Sequence, residues 1–399
     1  MSPALGLKRR VAIVAGGNTG LLLAQGLAKR GYPVTVYDKD QNVSSRNRDW
    51  TMSVHWSLLH LSKILPTSIS KKMSAAYTDP FYLYENNSVP PISFFNGPTG
   101  DVQIAIPAPN LRRLSRERFR KVLTQGMDIR WGKRLTNVQL GMKEGEPPVM
   151  LSFDDGSRAE ADLLIGADGT NSRVRRWLLG DEAGAAKPSS WSMCNGSVRY
   201  GEAGKALFLR KAHPLCSLAF TEHGLALCAI QNAPDPSKPE TWSFNVLRFI
   251  ETSLPRPLFG KPALALIKSI PDKICEPFWS AINWIPPHAS FFATQLDYWV
   301  TRPWNSHGGR LTLAGDAAHA MLPSRGQGMN HALEDVGRFV DMLDYVEHGG
   351  EWASALRVYE EDVWERGRSA VERSLEDARA NTMVAKLEEA RLVTKGLMR

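Results

Sequence analysis

The spacing of apolar and polar residues divides the chain into stretches of different texture. Near the N-terminus a short apolar run, Val11-Ala-Ile-Val14, leads into glycines. Leucines and alanines then recur at helical spacing from about Thr19 to Arg30. A β-branched run, Val34-Thr-Val-Tyr37, follows and ends at Asp38. Strand, helix and strand at these lengths predict a βαβ unit within a parallel sheet. Leu58, Leu59, Leu61 and Ile64 predict a helix after His55, closed by Pro66. Residues 77–109 are rich in Pro, Gly and aromatics, with strand-like pieces at 92–95 and 102–106. A helix near 114–125, strands at 129–131 and 138–140, and a hairpin over 149–158 come next. From 188 to 304 the texture shifts to short aromatic strands, at 191–200, 225–231 and 291–298. Helices are expected near 242–251 and 263–270. From Glu351 the pattern is helical to the end of the chain. The whole reads as α/β, with a mixed or antiparallel sheet inserted into a nucleotide-type body.

Three strand ends carry candidate chemistry. The first strand runs into Ala15-Gly16-Gly17-Asn18-Thr19-Gly20, and the second ends at Asp38. In a dinucleotide site, glycines admit a pyrophosphate to the helix N-terminus and the acidic residue takes the ribose hydroxyls. Here the first glycine of G-x-G-x-x-G is Ala15, so the matching positions are Ala15, Gly17 and Gly20. Because Ala15 continues a strand and two glycines follow it, an ordinary β conformation is expected there. The second strand end is Ile165-Gly-Ala-Asp168-Gly169-Thr-Asn-Ser172-Arg173-Val-Arg175. Alone, its Asp-Gly pair is a plain turn, and Arg173 and Arg175 read as a solvated helix face. The third is Leu311-Thr-Leu-Ala-Gly315-Asp316-Ala-Ala-His319, continuing through Pro323 to Gly326-Gln-Gly328-Met329-Asn330. It places a carboxylate at a strand end beside the positive N-terminus of a helix running through Leu333 and Val336.

Taken in order, the three segments resemble the group A flavoprotein monooxygenases, the p-hydroxybenzoate hydroxylase and salicylate hydroxylase family. Asp168, Gly169, Ser172 and Arg175 fit that family's D-G-x-x-S-x-x-R pattern. Gly315, Asp316, Ala317, His319 and Pro323 fit its G-D-A-x-H-x-x-x-P pattern. The resemblance implies a Rossmann-like FAD-binding domain with an inserted mixed β-sheet substrate domain and a C-terminal helical segment. The FAD-binding parts would be 1–76, 111–187 and 305–350, the substrate-domain parts 77–110 and 188–304, and the terminal helices 351–399. It implies that Ala15, Gly17, Asn18, Thr19, Gly20, Asp38, Arg48 and Arg116 hold the dinucleotide half of FAD. Asp316 would hold the ribityl and diphosphate region, with Pro323 in the same motif, and Gly328, Met329 and Asn330 would face the flavin ring near N1 and O2. Asp168, Gly169 and Arg175 would serve both FAD pyrophosphate and NAD(P)H. The implied reaction uses NADPH or NADH and O2 to hydroxylate or epoxidise an aromatic or other electron-rich small molecule, with oxygen activated at flavin C4a. Arg48-Asp-Trp-Thr-Met-Ser-Val-His-Trp56 resembles a stretch of fungal members acting on aromatic polyketide or alkaloid scaffolds. His55 in that stretch is the candidate polar group near substrate or flavin; a core histidine bonded to backbone is the competing interpretation. A flavin-fold reductase, or a non-redox cyclase or isomerase using the same pocket, stands as the alternative function.

Composition narrows the remaining classes. A net charge of +8, from 49 basic and 41 acidic residues, suits an anionic cofactor, and no Lys/Arg run or recognition motif points to nucleic acid. Cys194, Cys216, Cys228 and Cys275 lack C-x-x-C spacing, so reduced thiols and no metal site are expected. The first ten residues lack the apolar core of a signal peptide, and no apolar span is long enough for a bilayer. A cytoplasmic monomer or homodimer without stable membrane insertion is the expectation. Most of the 12 Trp fit a core, and a minority an aromatic pocket.

Overall fold

The computed structural model describes residues 8–380, except 47, 83–88, 109 and 143–147. Its parallel sheet has the order Leu311–Leu313, Leu163–Gly166, Val11–Val14, Val34–Asp38, Asp128–Trp131. Val11–Val14 and Leu163–Gly166 are buried at every position, which explains why they read as unbroken apolar runs and not as alternation. The three strands that carry the motifs are therefore neighbours, although up to 300 residues separate them along the chain. Their C-terminal ends open on one side, where open α/β sheets bind ligands.

The larger sheet has eight strands, in the order Leu258–Phe259, Phe291–Tyr298, Lys187–Arg199, Ser243–Glu251, Gly224–Asn232, Cys216–Thr221, Ile92–Asn96, Val102–Ile106. All its pairings are antiparallel except that of Cys216–Thr221 with Ile92–Asn96. The helices Lys261–Ser269 and Phe278–Asn283 bury their apolar sides in the core under this sheet, with Cys194, Val198, Phe244 and Val246. A separate core surrounds the parallel sheet. It takes in the helices Asn18–Lys29 and Gly328–Glu347, and Leu356, Tyr359 and Val363 of the last helix, Trp352–Ala380. The expected helix beyond residue 380 lies outside the described residues.

Two expectations are corrected. Residues 243–251 form a strand in the middle of the large sheet, not a helix. Both of their faces are covered, so five apolar residues crowd the segment and its period is lost. The helix expected from 114 begins at Arg116, because Arg112–Ser115 pairs with Thr51–Val54. Ser115 then caps it, its hydroxyl accepting from the Arg118 N–H at 3.1 Å. The four cysteines are free, three of them buried. No helix among the described residues is long and apolar enough to cross a membrane.

Candidate active site

At the first strand end, Ala15 stands at φ +83°, not in the β conformation expected of it. The turn needs a left-handed residue, and the glycines that follow do not take over that duty: Gly17 has an extended backbone at φ −75°, ψ 177°. Gly20 is fixed by contact, since a Cβ there would lie 2.0 Å from the Ala15 carbonyl oxygen. At Gly17 a Cβ would meet nothing within 4 Å, so the backbone there faces open space. Asn18, Thr19 and Gly20 form the first turn of the helix, whose N–H groups have no partner within it.

Asp38 braces this turn from beneath. It is 1% exposed, and it accepts from the Gly16 N–H at 2.7 Å, the Asp40 N–H at 2.8 Å and Arg120 at 3.1 Å. Arg120 also donates to the Gly16 carbonyl at 2.7 Å and to Asp40 at 3.0 Å. Both polar groups of Gly16 are thus held by one buried ion pair. A ribose hydroxyl would share the Asp38 carboxylate with three protein donors. Sequence reasoning missed Arg120; its signal was its place one helical turn after Arg116.

The second strand end spends its carboxylate on its own helix. Asp168 accepts from the Ser172 hydroxyl, from the Arg173 N–H at 2.6 Å and from the Val174 N–H at 3.3 Å. Burial raises its pKa against the pull of those donors. Gly169 follows at φ +78°. Arg175 does not lie on a solvated face. It is fully buried, and its guanidinium donates to the carbonyls of Thr170, Gly184 (2.8 Å), Asp316 (3.3 Å) and Ala317 (3.0 Å) while lying over Trp299. Burial lowers its pKa to about 10, with Asp168 opposing. Four carbonyls replace its water, so it ties the second motif to the third.

Asp316 is the contrasting carboxylate. It is exposed to water, and one of its oxygens lies 3.9 Å from where a Cβ on Gly328 would be. Protein surrounds it closely enough that desolvation raises its pKa, while His319 and Arg116 pull the other way. Open to water yet enclosed by protein, it lines a cleft. Gly315 before it has φ +62°, and a Cβ there would strike Thr19 at 2.6 Å, so the first and third motifs meet at this point. Gly328, Met329 and Asn330 open the helix Gly328–Glu347 with their N–H groups in its first turn. Pro323 starts the 3-10 turn Pro323–Arg325 and is exposed.

The side chain of Asn330 is committed internally. It accepts from the His55 N–H at 3.0 Å and the Ser57 hydroxyl at 2.9 Å, and donates to the Ser53 carbonyl at 3.0 Å. His55 is 7% exposed, with Nε2 3.2 Å from the Asn330 amide nitrogen. Trp56 donates to Gln327 at 2.9 Å, so this loop grips the helix start from two positions. Arg116 is half-buried over the Trp50 ring, and no ion pair to it is found among the described residues. Burial and the neighbouring Arg46 and Arg120 lower its pKa to about 10. Arg48 is exposed, with its guanidinium over Phe292 on the large sheet; Phe292 in turn lies 6.2 Å from Trp50.

These residues fit a bound FAD. Two helix N-termini and an arginine repelled by other cations suit a diphosphate, and a cleft carboxylate beside them suits hydroxyl groups. Facing them, the large sheet presents a cross-strand row, Leu218–Leu227–Leu247–Asn195–Phe292. Its three leucines stay partly exposed in mid-sheet while the residues on either side of each along the strand are buried. Such a row reads as a cavity wall, and nothing local in the sequence marks it.

The family described as "FAD binding domain" matches residues 289–374. The chain is 34% identical over 392 residues to the FAD-dependent monooxygenase phnB of Penicillium herquei, covering 97% of this chain and 95% of that one. It is 35% identical over 393 residues to the FAD-dependent monooxygenase cctM of Talaromyces islandicus, covering 98% and 97%. Among solved structures it resembles HpxO of Klebsiella pneumoniae complexed with FAD and uric acid. The TM-score is 0.74 at 19% identity, over 97% of this chain and 92% of that one. A salicylate hydroxylase substrate complex gives 0.70 at 22% identity, over 97% and 93%. The solved structures share the fold.

Proposed function

The chain belongs to the FAD-dependent monooxygenases, and we propose that it uses NADPH or NADH and O2 to hydroxylate or epoxidise an aromatic or other electron-rich small molecule. One observation carries the reading: the open carboxylate Asp316 and two free helix N-termini meet opposite an apolar sheet face. Bound FAD supplies electron transfer from the nicotinamide and activation of O2. The N–H groups of Asn18, Thr19 and Gly20, with Arg116, hold the diphosphate; Asp38, Asp168, Gly169 and Arg175 brace the loops around it. Asp316 takes the ribityl hydroxyls. The N–H groups of Gly328, Met329 and Asn330 face the ring edge, where a helix N-terminus stabilises negative charge.

The substrate ring lies against Leu218, Leu227 and Leu247, with Trp50 and Phe292 closing one end and excluding water. His55 acts through Asn330 and the start of its helix, or on the substrate if a shift of Gln327 opens its ring. The FAD-binding parts are 1–76, 111–187 and 305–350, and the substrate parts 77–110 and 188–304. Four free cysteines fit a reducing cytoplasm, and the enzyme works there as a monomer or homodimer. The test is NADPH and NADH oxidation by the purified protein with a panel of phenols and fused aromatics, and product mass under labelled O2. Substrate-stimulated oxidation that puts one labelled oxygen into product is expected. Flavin reduction without oxygen transfer to any panel member overturns the reading.

A further inference from the structure

We infer that Asp335 is a positioning residue for the flavin site, and that the last helix, Trp352–Ala380, serves as its splint. The inference rests on the flavoprotein reading. Asp335 is fully buried in the second turn of the Gly328–Glu347 helix. One carboxylate oxygen accepts from the Gly315 N–H at 2.7 Å and from His319 Nε2 at 2.7 Å. The other accepts from Arg366 at 2.7 Å. The Gly315 carbonyl in turn accepts the backbone N–H groups of Ala318 at 2.8 Å and His319 at 2.9 Å. A single charge therefore closes the Gly315–His319 turn at both ends, and Asp316 lies within that turn, directly after Gly315.

The last helix supplies the counterpart. Arg366 joins Asp335 to Asp362. At Gly367 a Cβ would lie 3.0 Å from His319 Cβ and 2.9 Å from Thr301 Oγ1, so the helix approaches the turn at a distance that suits glycine. Seven residues before Arg366, on the same helix face, the Tyr359 hydroxyl donates to the Leu313 carbonyl at 3.0 Å, at the end of the strand leading into the turn. Three contacts of one face thus reach the strand, the turn and the carboxylate that clamps it. Arg366 also holds Asp335 ionised: the carboxyl lies far below the usual range through His319 and Arg366, against the cost of burial.

Asp335→Asn offers one acceptor oxygen to three donors. The Gly315 amide or His319 then loses its partner, and Asp316 loses its aim while remaining in the chain. The experiment is titration of apo-protein with FAD, with the apo melting temperature and the visible absorption spectrum of the bound flavin as companion readouts. Asp335→Asn is expected to weaken FAD at least about 30-fold, ~2 kcal/mol, and to change the spectrum of what binds. Glu360→Gln is the control: this buried carboxylate of the same helix bonds Trp304 at 2.9 Å and sits beside the Leu311–Leu313 strand, not on the Gly315–His319 turn that Asp335 closes. It should shift FAD affinity less than about three-fold whatever it does to the melting temperature.

Arg366→Lys keeps the charge but not the fork across two carboxylates, and should weaken FAD roughly five-fold with an intact fold. It decides the matter if Asp335→Asn does not fold. The inference is overturned if the folded Asp335→Asn, or failing that Arg366→Lys, binds FAD within three-fold of wild type. Equal weakening by Glu360→Gln overturns it as well. Wild-type protein that takes up no FAD would refute the flavoprotein reading and this inference together.

Discussion

The Asp168-Gly169 and Gly315-Asp316 turns both leave the end of a parallel strand and enter a short helix, and desolvation raises the pKa of both carboxyls. Their carboxylates nevertheless have opposite fates. Asp168 is consumed by three donors of its own helix start, whereas Asp316 faces an open cleft and leaves the bracing of its turn to Asp335. A strand–turn–helix connection can therefore either satisfy its acid locally or outsource the bracing and keep the acid free. The second arrangement costs stability and makes a binding site.

Asp316→Ala should show the largest effect on cofactor. Losing one or two charge-assisted bonds, each worth ~1.5–3 kcal/mol, weakens FAD by about 100-fold or more in a folded protein. Full flavin occupancy in that variant breaks the comparison. Asp168→Ala should instead lose ~1–2 kcal/mol of apo-protein stability, as the Ser172 hydroxyl and the first two N–H groups of the helix lose their acceptor, seen as a lower denaturation midpoint. Its effect on FAD should be the smaller of the two; the reverse ranking would merge the two turns into one kind.

Asp316→Asn sharpens the contrast through pH. Because its folded pKa is raised, the folded state holds the proton more tightly than the unfolded chain. Its contribution is full below the ordinary carboxyl pKa of about 3.9 and is lost as pH rises through the raised folded value. Asp316→Asn apo-protein should therefore gain stability over wild type as pH increases across that window. Equal unfolding free energies at acid and neutral pH would show that the cleft imposes no cost. His55→Ala tests the loop that grips Asn330: coupling of NAD(P)H oxidation to product should fall while FAD content stays near normal. Unchanged coupling would leave His55 a core histidine.

Ala15→Gly carries the smallest expected effect. The left-handed backbone at Ala15 costs roughly 1–2 kcal/mol, and glycine returns about 0.5–1 of it as lost backbone entropy. A gain in apo-protein stability of up to about 1 kcal/mol follows. FAD affinity should change less than about three-fold, because the strain is already present without ligand. A ten-fold gain in affinity would show that the turn relaxes in the free protein and is strained only by binding.

By itself, the sequence determined what short-range physics encodes: buried runs of four residues, glycines where backbone or ligand must approach, and an acid or arginine at a set distance from a strand end. That was enough for the parallel sheet, the three motifs and the family. It misjudged residues 243–251 because a strand covered on both faces loses its period, and Ala15 because a residue type does not reveal the φ its turn demands. Tertiary structure alone decided which carboxylate stays free, since Asp38, Asp168 and Asp316 look alike until their donors arrive from elsewhere. Arg120 reaches Asp38 across 82 residues, and Arg366 reaches Asp335 from another helix. The leucine row is of the same kind. It exists only once separate strands pair in register, and pairing is a long-range choice that no local pattern contains.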